Sequence, residues 1–144
     1  PERILIADEA IGIGQRALAK AVSYAGERKV FDRFIGQNQS IQHPLAESWM
    51  ALEAANLMVW QAAKLYDEQK PCGAEANAAK FLAADAAYEV CDRAVRTHGG
   101  FGYAKEYHVE RYLREIMIAR IAPVSRELIM CYIAEKVLGL PRSY

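Results

Sequence analysis

"AEANAAKFLAADAAYEVCDRAVRTH", residues 74–98, decides the fold class. It is dense in alanine, the best helix former, and has neither glycine nor proline. The pattern predicts a helix from about Ala74 to His98. Small side chains let such a helix approach its neighbours to the lower end of the usual interaxial distances. "HGGFGY", His98 to Tyr103, ends the helix, since Gly99 or Gly100 can adopt the left-handed cap conformation.

Helical periodicity recurs on both sides of this stretch. A first helix is predicted over about Glu2–Glu27, with Leu5, Ala10, Ile13, Ala17 and Val22 at helical spacing. Gly12 and Gly14 weaken it by about 1 kcal/mol each but permit close approach of another backbone. "FDRFIGQNQSIQHP", Phe31 to Pro44, breaks the pattern and reads as a loop. A second helix follows from about Pro44 to Glu68, with Pro44 in its first turn, where a missing N–H does no harm. Leu45, Trp49, Leu52, Ala55, Val59, Ala63 and Tyr66 keep its rhythm, and the tyrosines and tryptophans read as core or interface residues. "KPCGAEAN", Lys70 to Asn77, is a turn short enough to join antiparallel neighbours. Beyond the glycines come a shorter helix, roughly Val109–Ala119, and a last one from Ser125, its N-cap, to near Leu138, with Gly139 as terminator. No alternating β pattern of convincing length is present. The expected fold is all-α: an up-and-down four-helix bundle with an extra short helix and a long crossover loop after the first helix.

The 144 residues suit one domain, and a 53 % hydrophobic composition can fill its core. Eighteen basic residues balance 18 acidic ones, which argues against non-specific binding to nucleic acid or an anionic membrane. Cys72, Cys91 and Cys131 are odd in number, far apart and without metal-ligand spacing, so a reducing compartment is expected: cytoplasm, or mitochondrial matrix in a eukaryote. The chain opens on "PERILIADEA", without methionine and already helical in pattern, so a piece of a longer protein is expected.

Several residues could carry chemistry. "GGFG" at 99–102 follows a helix and not a strand, so it is no Rossmann turn; it is either a helix cap or bare backbone that a pyrophosphate could approach. Arg96, one turn earlier, could add charge. "ERKVFDRF" puts Arg28 and Arg33 beside Phe31, either as a solvated helix end with the aromatic anchored in the core or as arginine for a phosphate and a ring for stacking. His98 abuts the glycines, while His43 and His108 fall in loops; none converges on another. Glu2, Glu9, Glu115 and Glu127 are candidate bases by residue type, but by pattern none is special, and such residues are more often solvated or capping carboxylates. No nucleophile has a neighbouring base, which leaves hydrolase chemistry unsupported.

"RTHGGFGYAKEYHVERYLRE", with "ERKVFDRFIGQNQSIQ" and "ERILIADEAIGIGQRALAKAVSYA" before it, resembles the C-terminal domain of the FAD-dependent acyl-CoA dehydrogenases over essentially the whole chain. The resemblance implies that residues 1–144 are the last of three domains of a flavoenzyme that forms dimers or tetramers. It implies FAD contacts by Arg28, Phe31 and Gln39 across a dimer, by Arg96, Gly99 and Gly100 near the pyrophosphate, and by Ser125 and Glu127 near ribose and phosphate. The reaction implied is α,β-desaturation of an acyl-CoA: a carboxylate takes the α-proton while hydride leaves the β-carbon for the flavin. An electron-transfer flavoprotein is the implied acceptor.

Departures from the family pattern bear on the base. In many members it is the glutamate of a "YEGT"-like stretch, and here that place falls on "APVS", with Pro123 at the base position. A minority keep the base at the start of the first helix in an "ER-apolar" sequence. "PERILIA" matches, so Glu2 is the expected base, with Arg3 toward the CoA side. Arg96 stands where glutamine is commoner, and Asp32 where glycine is usual. Two other readings remain: an oligomerising bundle inert on its own, and a related acyl-CoA oxidase. The piece alone is expected neither to hold FAD stably nor to turn over.

Overall fold

A computed structural model describes residues 1–143. Among the described residues five α-helices make the fold: α1 (Glu2–Glu27), α2 (Gln39–Asp67), α3 (Gly73–His98), α4 (Val109–Ile121) and α5 (Arg126–Lys136). A two-stranded antiparallel hairpin, β1 (Lys29–Val30) and β2 (Arg33–Phe34), follows α1. The bundle is up-and-down, as its periodicity predicts, and α3 is its hub, packing against the other four helices.

α1 runs alongside α3 in the same sense: Gly14 faces Ala87 midway, and Tyr24 stacks on His98 at the far end. α2 returns antiparallel, so its first turns lie beside the end of α3, where Arg93 bonds to Pro44, Ser48 and Glu47. Alanine governs the spacing. Ala7, Ala10, Ala17 and Ala21 of α1 and Ala79, Ala83, Ala87 and Ala94 of α3 are essentially without exposure. With methyl-sized side chains on both faces the backbones close together, and dispersion contacts replace the larger hydrophobes of an ordinary core.

The structure corrects several expectations. The buried stripe of α1 runs through Ile4, Ala7, Ile11, Gly14 and Leu18, whereas Leu5 and Val22 face outward. The close approach belongs to Gly14 alone: a Cβ there would lie 3.1 Å from that of Ala87, while one on Gly12 would meet nothing. α2 starts at Gln39, so residues 39–44 are helical and Pro44 lies within the helix, beyond the turn where its missing N–H is harmless. His43 is therefore helical too. The Pro44 carbonyl accepts from the Ser48 hydroxyl at 2.7 Å and from Arg93 at 3.0 Å, which ties this kink-prone turn to α3. Trp49 and Trp60 are not in the core of this chain; each is more than half exposed on the outer face of α2. α4 extends to Ile121, two residues beyond the expected end, and α5 stops at Lys136.

Ser125 caps α5 as expected, its hydroxyl accepting from the Leu128 N–H at 3.3 Å. At the other end Gly139 has φ +70, a left-handed conformation that costs glycine nothing.

Candidate functional site

The candidate residues fall into two groups, at opposite ends of α3. The first surrounds an open cleft of about 590 Å³ where the ends of α1 and α3 meet the start of α2. Arg28, Arg96, Gly99 and Gly100 all line it. Arg28 stands just past the end of α1, held there by its N–H to the Tyr24 carbonyl and by its own carbonyl, which accepts from Ile35. Its guanidinium lies over the Phe101 ring, 5.6 Å from the centroid. Arg96 is largely exposed and paired with Asp92 at 2.8 Å, so little desolvation opposes its turning to a ligand.

The three glycines after α3 differ in purpose. Gly99 has φ +58, a conformation that other residues rarely adopt. Gly102 has no room for a side chain, because a Cβ would sit on the Val95 carbonyl. Gly100 has neither constraint: its φ is not positive and a Cβ would meet nothing. Packing within this chain does not account for a glycine there, and a bare backbone beside two guanidiniums suits close approach by an anionic ligand.

His98 backs the cleft. It is buried, stacked on Tyr24 with centroids 4.3 Å apart, and edge-on to Tyr107. Its Nδ1 faces the Ala94 carbonyl at 2.8 Å, so Nδ1 carries a proton and donates it. Burial pushes the imidazole pKa below its ordinary value, and the nearby charge of Lys20 pushes the same way against the Ala94 contact. The favoured ring is neutral.

Phe31 and Gln39 do not line the cleft. Phe31 and Asp32 form the two-residue turn of the hairpin at φ +51 and +61, and the Phe31 ring is 96 % exposed. Two successive left-handed residues make the kind of turn that matches hairpin twist, which explains why glycine would suit position 32. Gln39 opens α2 between Asn38 and Ser40, which do reach the cleft.

The second group sits at the other end. Glu2 is exposed in the first turn of α1. Beside it the Arg3 Nε is buried without a hydrogen-bond partner. The joint between α4 and α5, residues 122–125, holds Pro123 and leads into Glu127. The Glu127 carboxyl lies below the usual carboxylate range because its own backbone N–H and the Ser125 hydroxyl bond to it. Beneath the joint lies Lys80, 1 % exposed, donating to the Val124 carbonyl at 2.7 Å. Burial lowers its pKa, and Arg126 and Arg3 lower it further, so Arg3 is within electrostatic reach of the joint.

Lys80 escaped the sequence reading. A signal was present: a lysine three, four and seven residues before Ala83, Ala84 and Ala87 falls on the inward face of α3.

The model of the acyl-CoA dehydrogenase C-terminal domain family matches residues 1–138. The chain belongs to that family. It is 46 % identical to the acyl-CoA dehydrogenase FadE12 of Mycobacterium tuberculosis over 146 aligned residues, covering all of this chain and 38 % of the relative. Against the caffeyl-CoA reductase–Etf complex subunit CarC of Acetobacterium woodii identity is 44 %, over 83 % of the chain and 31 % of the relative. The structure superposes on butyryl-CoA dehydrogenase from Megasphaera elsdenii with a TM-score of 0.92 and 38 % identity, covering 94 % of this chain and 36 % of that one. The domain thus spans about a third of the length of the proteins it resembles.

Proposed function

We propose that this domain is the C-terminal, flavin-holding and assembly-forming part of a three-domain acyl-CoA dehydrogenase that desaturates an acyl-CoA at its α,β bond. The observation that carries the reading is the cleft. Folding brings Arg28 and Arg96, remote in sequence, to the bare backbone of Gly99 and Gly100. Guanidiniums and unshielded N–H groups suit a pyrophosphate, and FAD is the dinucleotide that fits this family. FAD supplies the hydride acceptor when bound. Phe31 and Gln39, on the hairpin and the first turn of α2, would reach the same molecule from the rim, and Ser125 and Glu127 would meet ribose and phosphate from the joint.

Glu2 is the proposed base. Its carboxylate would take the α-proton. Pro123, at the alternative position, has no group to accept a proton. Arg3 would lie toward the CoA. An electron-transfer flavoprotein is the proposed acceptor, consistent with the Etf complex to which CarC belongs.

Anaerobic addition of a panel of acyl-CoAs to the intact protein tests the reading. The matching substrate should bleach the flavin, and Glu2→Gln should keep FAD yet lose bleaching. Normal bleaching in that variant would reject Glu2 as base. Rapid reoxidation of the reduced flavin by oxygen would favour an oxidase.

A second role rests on a different surface. Trp49, Met50, Leu57 and Trp60 of α2 are each more than half exposed. Such an apolar row suits burial against another copy. Alone, the domain carries only part of the flavin site and is expected to be inert.

A further inference from the structure

We propose that Lys80 and Asp85 of α3 are positioning residues, a clamp that fixes the α4–α5 joint and so aims Ser125 and Glu127. This rests on the flavin reading above for what the clamp serves, and on geometry alone for the clamp.

The joint has little of its own to hold it. The Ala122 N–H closes α4 on the Ile118 carbonyl, and the Ile129 N–H opens α5 on that of Ser125. Between them, Pro123 and Val124 make no backbone–backbone hydrogen bond among the described residues. α3 supplies the anchors instead. The Lys80 ammonium grips the Val124 carbonyl at 2.7 Å in the middle of the joint. On either flank a guanidinium reaches Asp85: Arg126 from α5 in direct contact, and Arg120 from α4 at 3.6 Å. Both cations also lie over rings of α3, Arg126 on Phe81 at 4.5 Å and Arg120 on Tyr88 at 4.4 Å. Four residues of one helix thus hold the ends and centre of one short loop.

Burying an ammonium beside two arginines is costly, and a methionine of similar volume would spare that cost. The lysine gives what methionine cannot: a donor directed at one carbonyl. Its use is therefore location, not stability. Glu127 follows the joint in the first turn of α5, so a shift of the Val124 carbonyl shifts that carboxylate.

The test uses the intact flavoenzyme with Lys80→Met. Amide exchange at Leu128 and Ile129 should quicken about tenfold, confined to residues 122–129, with global melting little changed. FAD should dissociate about tenfold more readily, as expected of a contact moved by part of an ångström. Unchanged exchange at the joint, or exchange raised throughout the chain, overturns the clamp. Altered exchange with wild-type flavin retention and bleaching overturns its link to the cofactor. Should Lys80→Met not fold, Asp85→Asn frees both arginines without touching the interior, and the same outcomes decide. A wild-type protein that holds no flavin would reject the reading of the cleft, while the exchange measurement still judges the clamp.

Discussion

Gly12 and Gly14 sit half a turn apart on α1, and alanine at each should move stability in opposite directions. As helix residues the two are alike: glycine to alanine gains about 1 kcal/mol of propensity at either place. What differs is the space. Nothing lies within 4 Å of a Cβ on Gly12, so Gly12→Ala keeps the whole gain. On Gly14 the new methyl would meet Leu52 Cδ2 at 2.7 Å, Ala87 Cβ at 3.1 Å and Ala87 Cα at 3.2 Å. The leucine tip can rotate away, but the backbone of α3 cannot without moving the whole helix. Overpacking of this kind costs about 1–3 kcal/mol, which leaves Gly14→Ala about 1 kcal/mol net less stable. For a domain of this size that is a melting point about 3 °C higher for Gly12→Ala and about 3 °C lower for Gly14→Ala. Thermal unfolding followed by far-UV circular dichroism reads the difference. Equal gains from both variants would refute the claim that α1 and α3 meet backbone to backbone at Gly14.

Other outcomes follow from the same geometry. Gly102→Ala should cost at least about 2 kcal/mol, because its Cβ would fall on the Val95 carbonyl, whereas Gly100→Ala should leave melting unchanged and weaken flavin retention. Burial, with the nearby charge of Glu115, pushes the Cys91 thiol up to about 12, so a thiol reagent should label Cys72 and Cys131 in the native state and Cys91 only on unfolding. His98 has a depressed folded pKa, so the unfolded chain binds the extra proton. Its contribution is intact above the ordinary value near ~6.5 and is lost as pH falls through it toward the folded value. Melting temperatures across that range should decline less steeply in His98→Phe, which keeps the stack on Tyr24.

The helices were legible because alanine-rich periodic segments bounded by glycine leave little choice of structure. Which face turned inward was less so. Leu5 and Val22 are more apolar than Ala7 and Ala21, yet the alanines are buried, because close helix contact selects for small volume over hydrophobicity. Pro44 misplaced the start of α2 for a related reason: its local penalty is real, and Arg93, remote in sequence, offsets it. In the cleft, Arg28, Arg96 and the glycines were visible as types, but their convergence depends on the parallel course of α1 and α3, which no local pattern encodes. Lys80 was hidden by the habit of reading lysine as surface. The Val124 carbonyl it serves becomes adjacent only when α4 turns back over α3.

α3 also acts as a ruler. Lys80 and His98 lie on one unbroken helix, so at ~1.5 Å per residue they stand about 27 Å apart along its axis. A helix without proline or glycine between these points has no hinge, and the interval is a constant of the fold. A cofactor held in the cleft of one copy would therefore reach the joint of another more readily than that of its own. Cofactor retention would then belong to the assembly and not to the chain. It should weaken on dilution even while every helix remains folded.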